Sequence, residues 1–321
     1  MHSVVVIGAR GYTGAELLPL LHKHPGFEIV AVSSSTAAGQ PVSAHISGME
    51  GSNLIFSEIL PVRLEKQEAD ACVLALPNGH ASRFVNVIDQ YRPGTVIVDL
   101  SADHRFNPAW AYGQPERFGD QLIGATRIAN PGCYATGAQI ALAPLLDLLV
   151  GTPAAFGVSG YSGAGKTPSR KNDLEVLADN LLPYTLVDHV HEREVSHHID
   201  RNIRLLPHVA SFFRGISLTV AAELRYAHTE KELLARFLNF YSGSPLVEVR
   251  SKVPEVKEAR NTHKLILGGF SVSETTPCRV SMVAVLDNLL KGAATQAVQN
   301  LNLAFGLDAM TGLRTPPGRK A

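Results

Sequence analysis

A doubly wound parallel α/β sheet, followed by an α+β domain with a mixed sheet, is the architecture this sequence predicts. Three observations carry that reading. Short, continuously apolar runs rich in Val and Ile alternate with amphipathic segments as far as Pro131. Strands spaced like antiparallel neighbours appear only after that point. A length of 321 residues exceeds what one core usually holds and suits two domains. The expected division is 1–148, rejoined by a terminal helical segment at 287–321, and 149–286.

Val4-Val5-Val6-Ile7 shows no polar alternation, as expected of a strand covered on both faces. A helix is predicted over 16–24 and is stopped by Pro25-Gly26. Residues 28–32, 71–76 and 95–99 repeat the buried-strand pattern, and a helix over 81–91 separates the last two. Pro77-Asn78-Gly79 and Pro93-Gly94 supply the breaks. Strands alternating with helices give a parallel sheet. Beyond Gly132 a long apolar helix is expected over 133–150. Strands are then expected at 156–159, 216–224, 264–267 and 279–286, with 268–272 continuing the third of these toward the fourth. Residues 231–241 and 288–305 read as helices, the last returning to the first domain. The 314–321 tail, with Pro316-Pro317-Gly318, is expected to fray.

Composition narrows the function. Lys plus Arg and Asp plus Glu both number 29, so the formal net charge is zero and a nucleic-acid partner is not expected. No apolar run is long enough to span a membrane, and MHSVVVIGARG lacks the build of a signal peptide. Three cysteines form no disulfide framework and point to a reducing, cytoplasmic setting.

Two glycine clusters compete as phosphate sites. Gly8-Ala9-Arg10-Gly11-Tyr12-Thr13-Gly14 leaves the first strand and opens the first helix, a G-x-x-G-x-x-G variant of the dinucleotide fingerprint that marks a Rossmann-type domain. The second strand ends in Ser33-Ser34-Ser35-Thr36, with no acidic residue for a ribose 2′-hydroxyl. Hydroxyls near Arg10 suit a 2′-phosphate, so NADP is expected. The second cluster, GYSGAGKT at 160–167, matches the P-loop pattern literally. Pro168 follows at once and no apolar helical face begins before Leu174, so nucleotide triphosphate binding is not expected. The glycines read instead as a close-approach loop whose N–H groups meet a substrate anion, with Lys166 as a supporting charge.

Asn130-Pro131-Gly132-Cys133 places Cys133 at the mouth of a helix, where the partial positive charge favours a thiolate and free N–H groups suit an oxyanion. Cys72, inside an apolar strand, reads as a small buried hydrophobe. His189-Val190-His191-Glu192-Arg193-Glu194 offers acid/base groups; on an extended segment both histidines could face one site. HVHEREVSHH could chelate zinc, but a metal needs three or four converging ligands and none is expected.

The segments IGARGYTGAELL, ALPNGHAS, VDLSADHRF, YGQPE, NPGCYAT, GYSGAGK, HVHEREV and DNLLKGAATQAVQNLN resemble, in order, those of the N-acetyl-gamma-glutamyl-phosphate reductases, a family of the semialdehyde dehydrogenase group. The resemblance implies NADPH-dependent reductive dephosphorylation of an acyl phosphate, through a Cys133 thioester, in arginine biosynthesis. It gives the acid/base role to His189, with His191 and Glu194 as site neighbours. It assigns substrate contacts to Arg105, Ser159, Gly160, Ser162, His191 and Glu194, and Arg214 is a second candidate for a substrate anion. Cofactor contacts would come from the first glycine loop with Tyr12 and Thr13, the serines 33–35, Leu76, Pro77, Ser101, Gly163 and Asn288. A second domain that carries catalysis and dimerisation, assembly as a homodimer or homotetramer, and an acetylglutamate kinase partner are further expectations. The chain departs from the family pattern at Ser35, Asn78 and Thr295, where Arg, His and Gly are expected. Rival readings are relatives acting on aspartyl or carrier-linked aminoadipyl phosphate, and a non-catalytic NADP-binding sensor.

Overall fold

A computed structural model describes residues 1–66 and 68–313; the tail expected to fray lies outside them. The chain divides into two compact units, Met1–Pro131 together with the chain from Ala293 onward, and Gly132–Gly292.

The first unit carries strands β1 (His2–Ile7), β2 (Phe27–Ser33), β3 (Phe56–Ser57), β4 (Ala71–Leu74), β5 (Val96–Asp99), β6 (Ala111–Tyr112) and β7 (Arg127–Ala129), in the order β3-β2-β1-β4-β5-β7-β6. Every pairing is parallel. Val4, Val6 and the whole of β4 are buried, which explains runs without polar alternation. Its helices are α1 (Tyr12–His22), α2 (Ser82–Tyr91) and α3 (Pro115–Leu122).

The second unit opens with α4 (Cys133–Leu142) and continues through β8 (Leu149–Gly160), α5 (Leu174–Leu177), β9 (Leu182–Pro183), α6 (Val190–Ile199), β10 (Arg204–Ala210), β11 (Ile216–Leu224), α7 (Glu230–Phe240), β12 (Val247–Val249), α8 (Val256–Ala259), β13 (Leu265–Val272) and β14 (Arg279–Leu286). The sheet is mixed, in the order β12-β13-β14-β11-β8-β10-β9, and the expected β13–β14 hairpin is antiparallel. Burial alternates strictly along β11, so one sheet face meets the core. That core gathers Ala135, Ala138 and Leu142 of α4 with Leu218, Val220, Met282 and Ala284 of the strands. The opposite face is covered locally through Ala259 of α8, Ile266 and Val285, while Val150 and Phe156 stay exposed.

Two boundaries differ from expectation. The apolar helix ends at Leu142; a short 3-10 turn containing Pro144 follows, and Leu149–Val150 already belong to β8. Proline cannot continue the helical ladder. The first crossing between units falls at Pro131–Gly132 rather than at 148, because α4 is apolar all round and packs into the core of the second sheet. The second lies at Gly292–Ala293, after a π-helical turn over Leu290–Ala294 begins, and α9 (Thr295–Ala304) returns to the first unit as expected.

Candidate active site

In the first unit, the three glycines do three different jobs. Gly8 adopts φ +80°, and a Cβ there would stand 2.3 Å from the Ala75 carbonyl oxygen. A Cβ on Gly14 would strike the Ala9 backbone. Gly11, the N-cap of α1, has only the Gly8 oxygen nearby, at 3.6 Å, which leaves room for a pyrophosphate over the first turn at Tyr12 and Thr13. Arg10 Nη1 donates to Thr36 Oγ1 at 2.5 Å, so the guanidinium reaches the end of β2. These residues fit a dinucleotide with a 2′-phosphate. Only part of the serine run is available to it. Ser33 Oγ accepts from Ile59 N–H and Ser34 Oγ from Ala37 N–H, both buried; Ser35 and Thr36 are exposed.

The loop after β5 is built on Asp99, which is fully buried. Its carboxylate accepts from Ser101 N–H and Oγ, both at 2.9 Å, and bonds His104 Nδ1 at 2.7 Å. The Ser101 hydroxyl, expected on the cofactor, is therefore spent inside the loop. His104 stacks on Trp110 at 4.0 Å. Arg105 Nε donates to the Asn130 carbonyl and Nη2 to that of Leu100, which fixes the guanidinium plane. Asp103, a conceivable salt-bridge partner of Arg105, instead accepts from Gly79 and Ala81 N–H and so holds the loop that follows Leu76 and Pro77. Asn78, one of the departures, accepts from Ala102 N–H.

In the second unit, Cys133 is the first residue of α4, with Gly132 as an extended N-cap. The thiol therefore sits where the helix presents unpaired N–H groups. Glu194 was expected to touch substrate, but it is fully buried and its Oε1 accepts from Gly132 N–H at 2.8 Å. It acts on the turn that carries Cys133. His189 caps α6: its Nδ1 accepts from His191 N–H at 3.2 Å, so the neutral ring carries its proton on Nε2. Burial, then the charges of Lys171 and Arg193, lower the His189 pKa from 6.5 to about 4. Two cations and a dry setting disfavour the imidazolium. His191 stands ring to ring with His189 at 4.9 Å, so the helix start keeps the two histidines together.

Tyr184, absent from the sequence reading, joins these groups. Its ring lies 5.6 Å from that of His189, and its hydroxyl hydrogen-bonds with Tyr134. Burial, and next the negative charge of a Cys133 thiolate, push the Tyr184 phenol well above its ordinary pKa. Tyr134 Oη donates to the His208 carbonyl at 2.7 Å and anchors α4 on β10.

The GYSGAGKT loop differs from expectation. Gly160, Tyr161 and Ser162 N–H donate to the carbonyls of Gly215, Phe212 and Phe213, at 2.9, 3.0 and 3.0 Å. These N–H groups are thus committed and cannot also cradle an anion. Gly160 is required because a Cβ would stand 2.6 Å from the Phe213 backbone. Ser159 Oγ donates to the Gly160 carbonyl, and Ser162 Oγ accepts from Asn288 Nδ2. Asn288 Oδ1 also accepts from Gly215 N–H at 2.7 Å, so the amide clamps this loop to the start of β11 rather than reaching for a cofactor. Gly163 is exposed beside Ser159. Arg214 donates through Nε and Nη2 to both oxygens of Asp287, at 2.7 and 3.0 Å. That edge of its guanidinium is engaged by a buried carboxylate instead of a substrate. Asp287 was the missed signal: an acid closing an apolar strand calls for a partner.

Cys72 is a buried strand residue, as read; burial pushes its thiol up to about 12. Among the described residues no group of three or more His, Cys, Asp or Glu side chains is placed to hold a metal ion, and no helix is long and apolar enough to cross a membrane.

Residues 3–125 match the family model described as semialdehyde dehydrogenase, NAD binding domain, and residues 133–288 the one described as semialdehyde dehydrogenase, dimerisation domain. The chain is 49% identical over 311 residues to the N-acetyl-gamma-glutamyl-phosphate reductase of Xanthomonas campestris pv. campestris, covering 97% of this chain and 98% of that one. It is 49% identical over 308 residues to the enzyme of that name from Stenotrophomonas maltophilia, covering 96% of each. Among solved structures it resembles an aspartate semialdehyde dehydrogenase II from Vibrio cholerae, with TM-score 0.76 and 16% identity over 94% of this chain and 98% of that one, a likeness of fold.

Proposed function

The chain belongs to the N-acetyl-gamma-glutamyl-phosphate reductase family of the semialdehyde dehydrogenases, and we propose that it reduces N-acetyl-glutamyl 5-phosphate to N-acetyl-glutamate 5-semialdehyde with NADPH, in arginine biosynthesis. The observation that carries this reading is Cys133 at the first position of α4, in the same unit as His189, whose ring lies 5.6 Å from that of Tyr184.

The Cys133 thiolate attacks the acyl carbon. An S–C bond forms, the C–O bond to phosphate breaks, and inorganic phosphate leaves with the electron pair. The helix N-terminus stabilises the oxyanion as it develops. Gly8, Arg10, Gly11 and the first turn of α1 would hold the dinucleotide, which would supply the hydride that brings the acyl group to the aldehyde level. When the C–S bond breaks, the thiolate returns to Cys133. His189, neutral with a proton on Nε2, donates to the oxygen that carries charge, and its proton affinity rises as substrate anions offset the neighbouring cations. Arg105, its plane fixed by two carbonyls, is the phosphate ligand.

The dimerisation-domain match and the partly uncovered sheet, with Val150 and Phe156 exposed, support assembly as a homodimer or homotetramer. A cytoplasmic location and an acetylglutamate kinase as supplier of the labile acyl phosphate belong to the same reading.

The test is the reverse reaction. Reduction of NADP by N-acetylglutamate 5-semialdehyde should require inorganic phosphate and vanish in Cys133→Ser. Turnover of aspartate semialdehyde with none of the acetylated aldehyde would sink the substrate assignment.

A further inference from the structure

Lys171 lies on the loop between β8 and α5, half-buried. Asn172 pins that loop: its Oδ1 accepts from Ser169 N–H at 2.7 Å, and its Nδ2 donates to the Gly165 and Thr167 carbonyls at 2.9 and 2.8 Å. The Lys171 ammonium lies over the Tyr184 ring, 5.0 Å from its centroid. Among the described residues it has no carboxylate partner. The acid next along the chain but one, Asp173, is used elsewhere, accepting from Glu175 and Val176 N–H as the cap of α5. An ammonium held over an aromatic ring with no carboxylate beside it can take an anionic ligand. This one sits on the aromatic ring that lies 5.6 Å from the ring of His189, and with Arg193 it acts electrostatically on His189.

We propose that Lys171 is the ligand for the free carboxylate of the N-acylated amino-acid substrate, and so sets the specificity of the site for substrates that carry that group. The proposal rests on the function given above. Phosphate departs in the first step, whereas the carboxylate persists through thioester and aldehyde. A cation on the ring next to the acid/base histidine therefore holds the acyl group in place after phosphate has gone. An ammonium is a point charge suited to one carboxylate oxygen, while the guanidinium fork suits phosphate. Carboxylate binding also offsets one of the charges that hold the proton affinity of His189 down, so the acid becomes available when substrate is present.

Reverse-direction kinetics on full-length wild type, Lys171→Met and Lys171→Arg test this, with N-acetylglutamate 5-semialdehyde and with 4-acetamidobutanal, the same aldehyde without its carboxylate. In Lys171→Met the KM for the carboxylated aldehyde should rise by on the order of 10-fold or more, the scale of one charge-assisted hydrogen bond, and further than kcat falls. The KM for inorganic phosphate should move by less than about twofold, since phosphate makes none of that bond. 4-Acetamidobutanal should be handled equally by wild type and Lys171→Met, and Lys171→Arg should recover most of the loss. A rise in phosphate KM instead makes Lys171 a phosphate ligand and overturns the proposal. An equal loss on both aldehydes overturns it as well, leaving a structural or electrostatic role. Absence of wild-type turnover with the acetylated aldehyde, but turnover of another semialdehyde, overturns the function on which it rests.

Discussion

Glu194 accepts a hydrogen bond from the backbone N–H of Gly132 at 2.8 Å, one residue before the nucleophile. Both groups are buried, so the carboxylate of α6 fixes the turn from which α4 and Cys133 start. Removing it leaves a buried N–H unsatisfied. Glu194→Ala should cost about 1–3 kcal/mol of stability in denaturant titrations and slow alkylation of Cys133. Glu194→Gln keeps an acceptor oxygen and should lose less on both measures. Wild-type stability and alkylation in Glu194→Ala would show the bond to be unimportant.

His189 sets a pH dependence whose sign follows from its lowered proton affinity. With a folded pKa of about 4 against 6.5, the unfolded chain binds the extra proton first. The stabilisation is complete above pH 6.5 and is lost as pH falls toward 4. Wild type should lose about 2 kcal/mol relative to His189→Asn between pH 7 and pH 4.5; asparagine keeps a cap for α6. NMR titration of the His189 ring should find its midpoint well below 6. A midpoint near 6.5 contradicts the lowered value.

Gly292 lies against the nucleophile: a Cβ there would stand 2.7 Å from Cys133 Cβ. Gly292→Ala must therefore displace Cys133 or the turn after Asp287. The expected result is a fall in kcat of on the order of 10-fold or more, as for other small misplacements of reacting groups. Circular dichroism should stay close to wild type. Unchanged kcat would mean that the turn yields without moving the thiol.

Arg10 Nη1 donates to Thr36 Oγ1, which under the proposed function puts the guanidinium at the cofactor's 2′ position. Arg10→Ala should raise the KM for NADPH by about 10-fold, the loss of one charge-assisted bond, and change the KM for NADH little. Equal losses on both cofactors would place Arg10 on the pyrophosphate instead.

The legible parts of the site are the ones whose physics is local. Gly8, Gly11 and Gly14 act within one strand–turn–helix, and their spacing alone separates the tight turn, the open N-cap and the close approach. Pro131-Gly132-Cys133 likewise contains its own reason for putting a thiol at a helix start. GYSGAGKT was legible only in part. Its context ruled out a P-loop, but the N–H groups of Gly160, Tyr161 and Ser162 are taken by the carbonyls at 212–215, a segment far along the chain. Arg214 reads as an anion ligand until Asp287 is seen beside it. Tyr184 and Lys171 carry no local pattern, and only the ring contacts bring them to His189.

The sequence by itself determined the alternating parallel sheet, the glycine turn into α1, the place of Cys133 at a helix start and the family, because periodicity, turn chemistry and helix ends act over a few residues. The tertiary structure alone decided which polar groups are spent and which remain for a ligand. Glu194, Asn288 and Ser162 are consumed by buried partners distant in sequence, while Lys171 has no carboxylate partner among the described residues. A buried donor or acceptor must be paired, and folding chooses its partner from anywhere in the chain, so availability is a property of the packed molecule.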